Sequence, residues 1–121
     1  MTQTFSFDEA VFRELDAELG AEDTAEILTS FLADTDRKLV RLETDGQTRS
    51  VIKREAHSMK SSAATFGFNQ LSRLARELEA GAESMPHAAL PESIRELRQT
   101  FEATRSFARD NLLNIKSGMT L

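Results

Sequence analysis

Apolar residues in this chain recur at steps of three and four almost without interruption, and no stretch sustains the alternate spacing of a half-buried strand. A chain so patterned can bury its apolar side chains only along helical stripes, so the expected class is all-α. Phe7, Val11, Leu15 and Leu19 mark a short first helix, with Ser6 and Glu9 spaced as a capping box and Gly20 as its stop. Asp23 and Glu26 are spaced as a second capping box. They precede a long helix whose stripe is Ile27, Leu28, Phe31, Leu32, Thr35, Leu39 and Leu42, ending near Gly46. A third helix is expected from about Thr48 to Phe66, closed by Gly67, with Ile52, Ala56, Met59, Ala63 and Phe66 inward. Asn69 is placed to cap a fourth, in which Leu71, Leu74, Ala75 and Leu78 face inward until Gly81.

Residues 83–91 hold both prolines and read as a loop, with Pro91 suited to the first turn of a last helix. That helix carries Ile94, Leu97, Phe101, Thr104, Ala108, Leu112 and Ile115 and is expected to run to about Lys116. Four major helices on short connections pack most economically as an antiparallel up-down-up-down four-helix bundle. The short extra N-terminal helix then lies across one end, and residues 1–121 form a single domain. With no cysteine, neither a disulfide nor a thiolate metal site can support the fold, so packing must do so. Four amphipathic helices can bury their stripes without a partner, which predicts a monomer.

Composition narrows the function. The net charge of −5 and pI near 5.1 predict repulsion of nucleic acid. The N-terminus lacks a basic region followed by an apolar run, and no segment approaches the roughly 18 consecutive apolar residues of a membrane span. The expected location is therefore cytoplasmic, away from membranes. There is no Gly-rich phosphate loop, no Cys nucleophile, and no second histidine placed for a triad or metal site, which argues against an enzyme.

One residue stands against this acidic background. His57 lies off the apolar stripe of the third helix, and its helix-surface neighbours, three and four residues away, are Lys53, Arg54, Lys60 and Ser61. Two turns along the same line sit Ser50 and Ala64, both small, so nothing bulky overhangs the ring and a second protein can reach it. Three cations within a turn suit an incoming dianionic phosphoryl group, and an exposed imidazole is a nucleophile for one.

The run Ala56-His57-Ser58-Met59-Lys60-Ser61-Ser62-Ala63-Ala64-Thr65-Phe66-Gly67 resembles the A-H-x-L-K-G-S-[SA]-x-x-[LF]-G motif of histidine-containing phosphotransfer (HPt) domains. Leu71, Leu74, Ala75, Leu78 and Glu79 are similar to that family's L-x-x-L-A-x-x-L-E continuation; elsewhere the likeness extends only to helix number and length. The resemblance implies that His57 accepts a phosphoryl group from the phospho-aspartate of a receiver domain, such as that of a hybrid histidine kinase, and passes it to another receiver. It also implies a carrier with no cofactor of its own, the divalent metal belonging to the receiver. Lys60 matches the position that contacts the phosphoryl group in relatives. Ser61 departs from the pattern: the family has glycine there, beside the histidine, where it leaves room for the receiver. A hydroxymethyl group at that position either crowds the approach or donates a hydrogen bond to phosphoryl oxygens.

Two other readings compete. An adaptor that binds a receiver without being phosphorylated fits the Ser61 departure. The phosphoacceptor and dimerisation region of a histidine kinase fits less well, because Ser58 rather than an acidic residue follows His57 and the helix has no proline. Phe68, beside Gly67 at a helix junction, is a candidate docking residue along with Ala64, or else a helix-end packing residue. The other phenylalanines, including Phe31, Phe66, Phe101 and Phe107, read as core. His87 lies in the proline loop with no partner at helical spacing and reads as exposed and without a role. Glu92, Glu96 and Glu102 alternate with Arg95, Arg98 and Arg105 as a solvated, mutually paired face rather than a metal site.

Overall fold

A computed structural model describes residues 6–44 and 47–113. It has five α-helices: α1 (Glu9–Leu19), α2 (Ala21–Glu43), α3 (Arg49–Thr65), α4 (Asn69–Gly81) and α5 (Leu90–Phe107). A single 3₁₀ turn, His87–Ala89, leads into α5, and Ala108–Leu113 continues beyond it as a π-helical segment. The α-helix of the last element thus stops earlier than its apolar spacing predicts; Ile115 and Lys116, like Gly46, lie outside the described residues.

Packing is cyclic: α2 meets α3, α3 meets α4, α4 meets α5, and α5 returns to α2. At one end the start of α2 meets the end of α3, Phe31 lying 5.0 Å from Phe66 between ring centroids. The start of α4 and the end of α5 come to the same end through Phe7, which is 5.6 Å from Phe68 and 4.8 Å from Phe107. At the opposite end Leu42 of α2, Ile52 of α3 and Leu90 and Ile94 of α5 line one hollow. There Arg49 of α3 donates to the carbonyls of Ala82 and Met85 beyond α4. This is the antiparallel four-helix bundle that the periodicity predicts, with α1 across the phenylalanine end.

The stripes of α3 and α4 are buried as spaced: Ile52, Ala56, Met59, Ala63 and Phe66, then Leu71, Leu74, Ala75 and Leu78. Each fully buried Leu or Phe contributes about 1.5–3 kcal/mol of hydrophobic stabilisation. Three expectations about helix starts are corrected. Asp8, not Ser6, caps α1, its carboxylate accepting from the Val11 N–H. Asp23 does not open α2, because Gly20 at φ +89° turns the chain so sharply that α2 is helical from Ala21 and Asp23 falls in its first turn. Asn69 does not cap α4: Phe68 holds that position without a side-chain bond, and the Asn69 N–H donates to the carbonyl of Ser6 instead. Two stripe assignments also shift. Phe12, one position off the predicted line, is the buried residue of α1 while Leu19 is exposed. Ile27 is exposed too, and Thr24 is buried in α2.

Gly67 closes α3 in a Schellman motif: Phe68 N–H donates to the Ala63 carbonyl and Gly67 N–H to that of Ala64. Its φ of +85° is left-handed, and a Cβ there would stand 2.5 Å from the Asp8 carbonyl oxygen. That closeness is used, since the Asp8 N–H donates to the Gly67 carbonyl at 2.7 Å, stitching the N-terminal segment to the α3–α4 junction.

The charged face of α5 is corrected in its partners. Arg98 is not confined to its own helix: besides Glu102 it bonds Asp36 and Glu43, clamping α5 to α2. Arg98 holds the Asp36 carboxyl below its ordinary range, and the Arg98 guanidinium is itself raised by Glu43 first and then by Asp36 and Glu102.

Candidate phosphoacceptor site

His57 stands on the outer face of α3, opposite the stripe that fixes the helix in the bundle, with its side chain 60% exposed. Ser50 and Ala64, above and below it, are exposed and small, so the ring is open along the helix axis as well.

Lys60, Lys53 and Arg54 all reach the surface around His57, but they are not equivalent. α4 runs antiparallel beside α3, and its residues meet α3 in reverse order. Ser72 Oγ donates to the Lys60 carbonyl at 2.9 Å, Glu79 reaches His57 and Lys60, and Glu83, in the turn after α4, reaches Lys53. Glu79 holds the centre, with Oε2 2.6 Å from His57 Nδ1 and Oε1 2.8 Å from Lys60 Nζ. Hydrogen bonds from Lys60 first, and from His57 second, hold the Glu79 carboxyl below its ordinary range. It is therefore ionised at neutral pH and can only accept. The proton between the two groups belongs to Nδ1, so in the neutral ring the lone pair sits on Nε2. A ring so held presents a nucleophilic nitrogen outward and has an anion at its back to offset positive charge developing on it. The same division of labour serves other activated histidines oriented by a carboxylate.

The expected ring of three cations is thus two-sided. Lys60 is engaged by Glu79 and Lys53 by Glu83 at 3.5 Å, whereas the Arg54 side chain is exposed and forms no ion pair or hydrogen bond among the described residues. Ser61 is exposed, with its carbonyl accepting from Thr65 Oγ1 at 3.1 Å. Phe68 does not join the site. It is fully buried among Phe7, Phe31 and Phe66, because the reversal at Gly67 turns it into the core rather than toward His57. It is a packing residue and is unavailable for docking.

Sequence reasoning places Glu79 in a motif but gives it no role. Its position is foreseeable: two helices joined by a tight reversal at Gly67 bring together residues about equally far from the turn, and Glu79 lies twelve residues after it to His57's ten before. Glu55 is a second omission. Two residues before His57, it is buried on the α2 side of α3 and ion-paired with Arg41 of α2, setting the register of the two helices. His87 is exposed, but it has a partner, its Nδ1 lying 3.0 Å from Arg49 Nη2. Among the described residues no three His, Cys, Asp or Glu side chains converge as metal ligands, and no helix is long and apolar enough to cross a membrane.

The sequence model of the Hpt domain family matches residues 26–107, two-thirds of the chain. This chain belongs to the Hpt family. The match takes in most of α2 and all of α3, α4 and α5, leaving α1 as an addition to the matched bundle. No curated protein and no solved structure matches significantly. Hpt domains are phosphocarrier modules of two-component phosphorelays, which places this chain in that class of signalling.

Proposed function

We propose that this Hpt domain accepts a phosphoryl group on Nε2 of His57 from the aspartyl phosphate of a receiver domain and returns it to the aspartate of another. The observation that carries the reading is the 2.6 Å contact between Nδ1 of an exposed histidine and an ionised carboxylate, which leaves Nε2 outward with its lone pair. That pair attacks phosphorus, the P–O bond to the receiver's aspartate breaks, and the aspartate leaves as a carboxylate. The ring keeps its Nδ1 proton and gains positive charge, which Glu79 offsets from behind. Reversal on a second receiver restores the neutral ring. The divalent metal that neutralises the transferring oxygens belongs to the receiver, so the domain is a carrier rather than a catalyst, and it acts as a cytoplasmic monomer.

Incubation with a phosphorylated receiver and Mg²⁺ tests this. The expected product is the chain bearing an acid-labile, alkali-stable phosphate, lost in His57→Gln while the bundle still folds. A chain that binds the phosphorylated receiver but acquires no label would be an adaptor, and the proposal would fall.

A further inference from the structure

We propose that Arg54 and Ser61 grip the phosphoryl group, on the flank of His57 facing α2, opposite the flank on which Lys60 holds Glu79 against the ring. The inference rests on His57 being the phosphoacceptor and concerns how that site is divided.

At about 100° per residue, Lys53 and Lys60 lie on one side of His57 around the helix, and Arg54 and Ser61 on the other, each about 40–60° away. The two sides differ in what faces them. The Lys53 and Lys60 side is met by Glu79 of α4 and by Glu83 in the turn that follows it. The Arg54 and Ser61 side continues toward α2 through Ser62 and Thr65, which line an open groove of about 250 Å³ with Ile27, Asp34 and Lys38. A dianion seated on the α4 side would lie against two carboxylates and compete with Glu79 for Lys60. On the α2 side it meets an exposed guanidinium that has no acidic partner among the described residues, and a hydroxyl at the surface.

Helix geometry brings these groups together. Side chains lean toward the N-terminus of their helix, so the His57 ring overlies the turn bearing Arg54, and the Ser61 hydroxyl leans back over the turn bearing His57; the Arg54 stem leans the same way, toward Ser50, and is long enough to fold back to the ring. An outward Nε2 with a phosphoryl group on it then lies between them. The guanidinium fork suits two phosphoryl oxygens and the hydroxyl can donate to a third. Lys60, with its Nζ 2.8 Å from Glu79, keeps that carboxylate ionised and aimed at Nδ1.

The test labels the purified chain with phosphoramidate, a small donor that needs no docking surface, and separately with a phosphorylated receiver. Arg54→Gln should slow both reactions about tenfold, in keeping with loss of a charge-assisted hydrogen bond to the transferring group, and Arg54→Lys should recover part of the loss. Ser61→Gly should slow both by a few-fold without changing the melting temperature. Lys60→Gln should alter the Nδ1/Nε2 tautomer ratio of His57 in ¹⁵N NMR spectra, whereas Arg54→Gln should leave that ratio unchanged. Wild-type labelling of Arg54→Gln by phosphoramidate, whether or not receiver transfer is impaired, would overturn the proposal. So would a faster Ser61→Gly variant, which would mark the hydroxymethyl group as an obstruction. Failure of the wild-type chain to be labelled on His57 at all would instead refute the carrier reading.

Discussion

Gly67→Ala is the substitution whose effect follows most directly from geometry. The new methyl group meets two penalties at once. At φ +85° an L-residue with a Cβ is disfavoured by about 1–2 kcal/mol. The Cβ would also stand 2.5 Å from the Asp8 carbonyl oxygen, a backbone atom that no rotamer change can move aside. The N-terminal segment must therefore retreat, and the Asp8-to-Gly67 hydrogen bond, worth about 1 kcal/mol, goes with it. Against this, alanine restricts the unfolded chain and returns roughly 0.4–1 kcal/mol. The net expectation is a loss of about 2–3 kcal/mol, which for a domain of this size lowers the melting temperature by roughly 10 °C.

Thermal and urea unfolding followed by circular dichroism measure that loss. Gly67→Asn separates its two parts, because asparagine tolerates the left-handed region but carries the same Cβ. It should recover about 0.5–1 kcal/mol and remain clearly less stable than the parent. A melting temperature for Gly67→Ala within about 3 °C of the parent, or full recovery by Gly67→Asn, would show that the Asp8 segment yields freely. The stitched junction would then not be a constraint on the bundle.

Two further outcomes are expected. Glu79→Gln should lower the rate of phosphoryl transfer to His57 about tenfold by removing the anion behind the ring. Because Lys60 and His57 hold the Glu79 carboxyl below its ordinary range, it is ionised at pH 7–8 and the deficit of the variant should be present there; a variant that transfers at the parent rate at pH 7–8 would contradict this. Arg98→Met should cost about 1–2 kcal/mol at pH 7, a modest figure because the carboxylates it clamps are partly exposed. Asp36 is depressed in the folded state, so its contribution is present above the unfolded pKa and lost as pH falls through the folded one. The gap between parent and variant in urea unfolding should therefore narrow by pH 3, and a constant gap would refute the clamp.

What could be read from the sequence and what could not divide by the range of the interaction involved. Helix existence and the buried stripes of α3 and α4 follow from spacing alone, since a side chain's azimuth on its own helix is a local quantity. The stop at Gly67 is local as well, because the left-handed residue closing a helix is chosen by its own backbone. Helix starts resisted. Ser6, Asp8, Asp23 and Asn69 are all competent caps, and the choice among them was made by contacts of larger reach, the bond from Asn69 N–H to the Ser6 carbonyl and the sharp reversal at Gly20. Phe68 shows the same limit, since only the turn at Gly67 decides that its ring enters the core.

The site divides in the same way. That His57 is exposed follows from its own helix, whereas the partner that orients it lies on another helix, 22 residues away. A surface wheel of α3 shows three equivalent cations. Only α4 and the turn after it, by setting Glu79 against Lys60 and Glu83 against Lys53, make Arg54 the one of the three without an acidic partner among the described residues. The candidate site is thus written at two levels: the exposed histidine in a local motif, and the carboxylate that orients it in the register of α3 on α4. A substitution that slipped this register by one turn would leave the motif intact and His57 exposed, yet would take Glu79 from Nδ1 and free Lys60. The motif alone is therefore insufficient to predict how the ring of His57 is held.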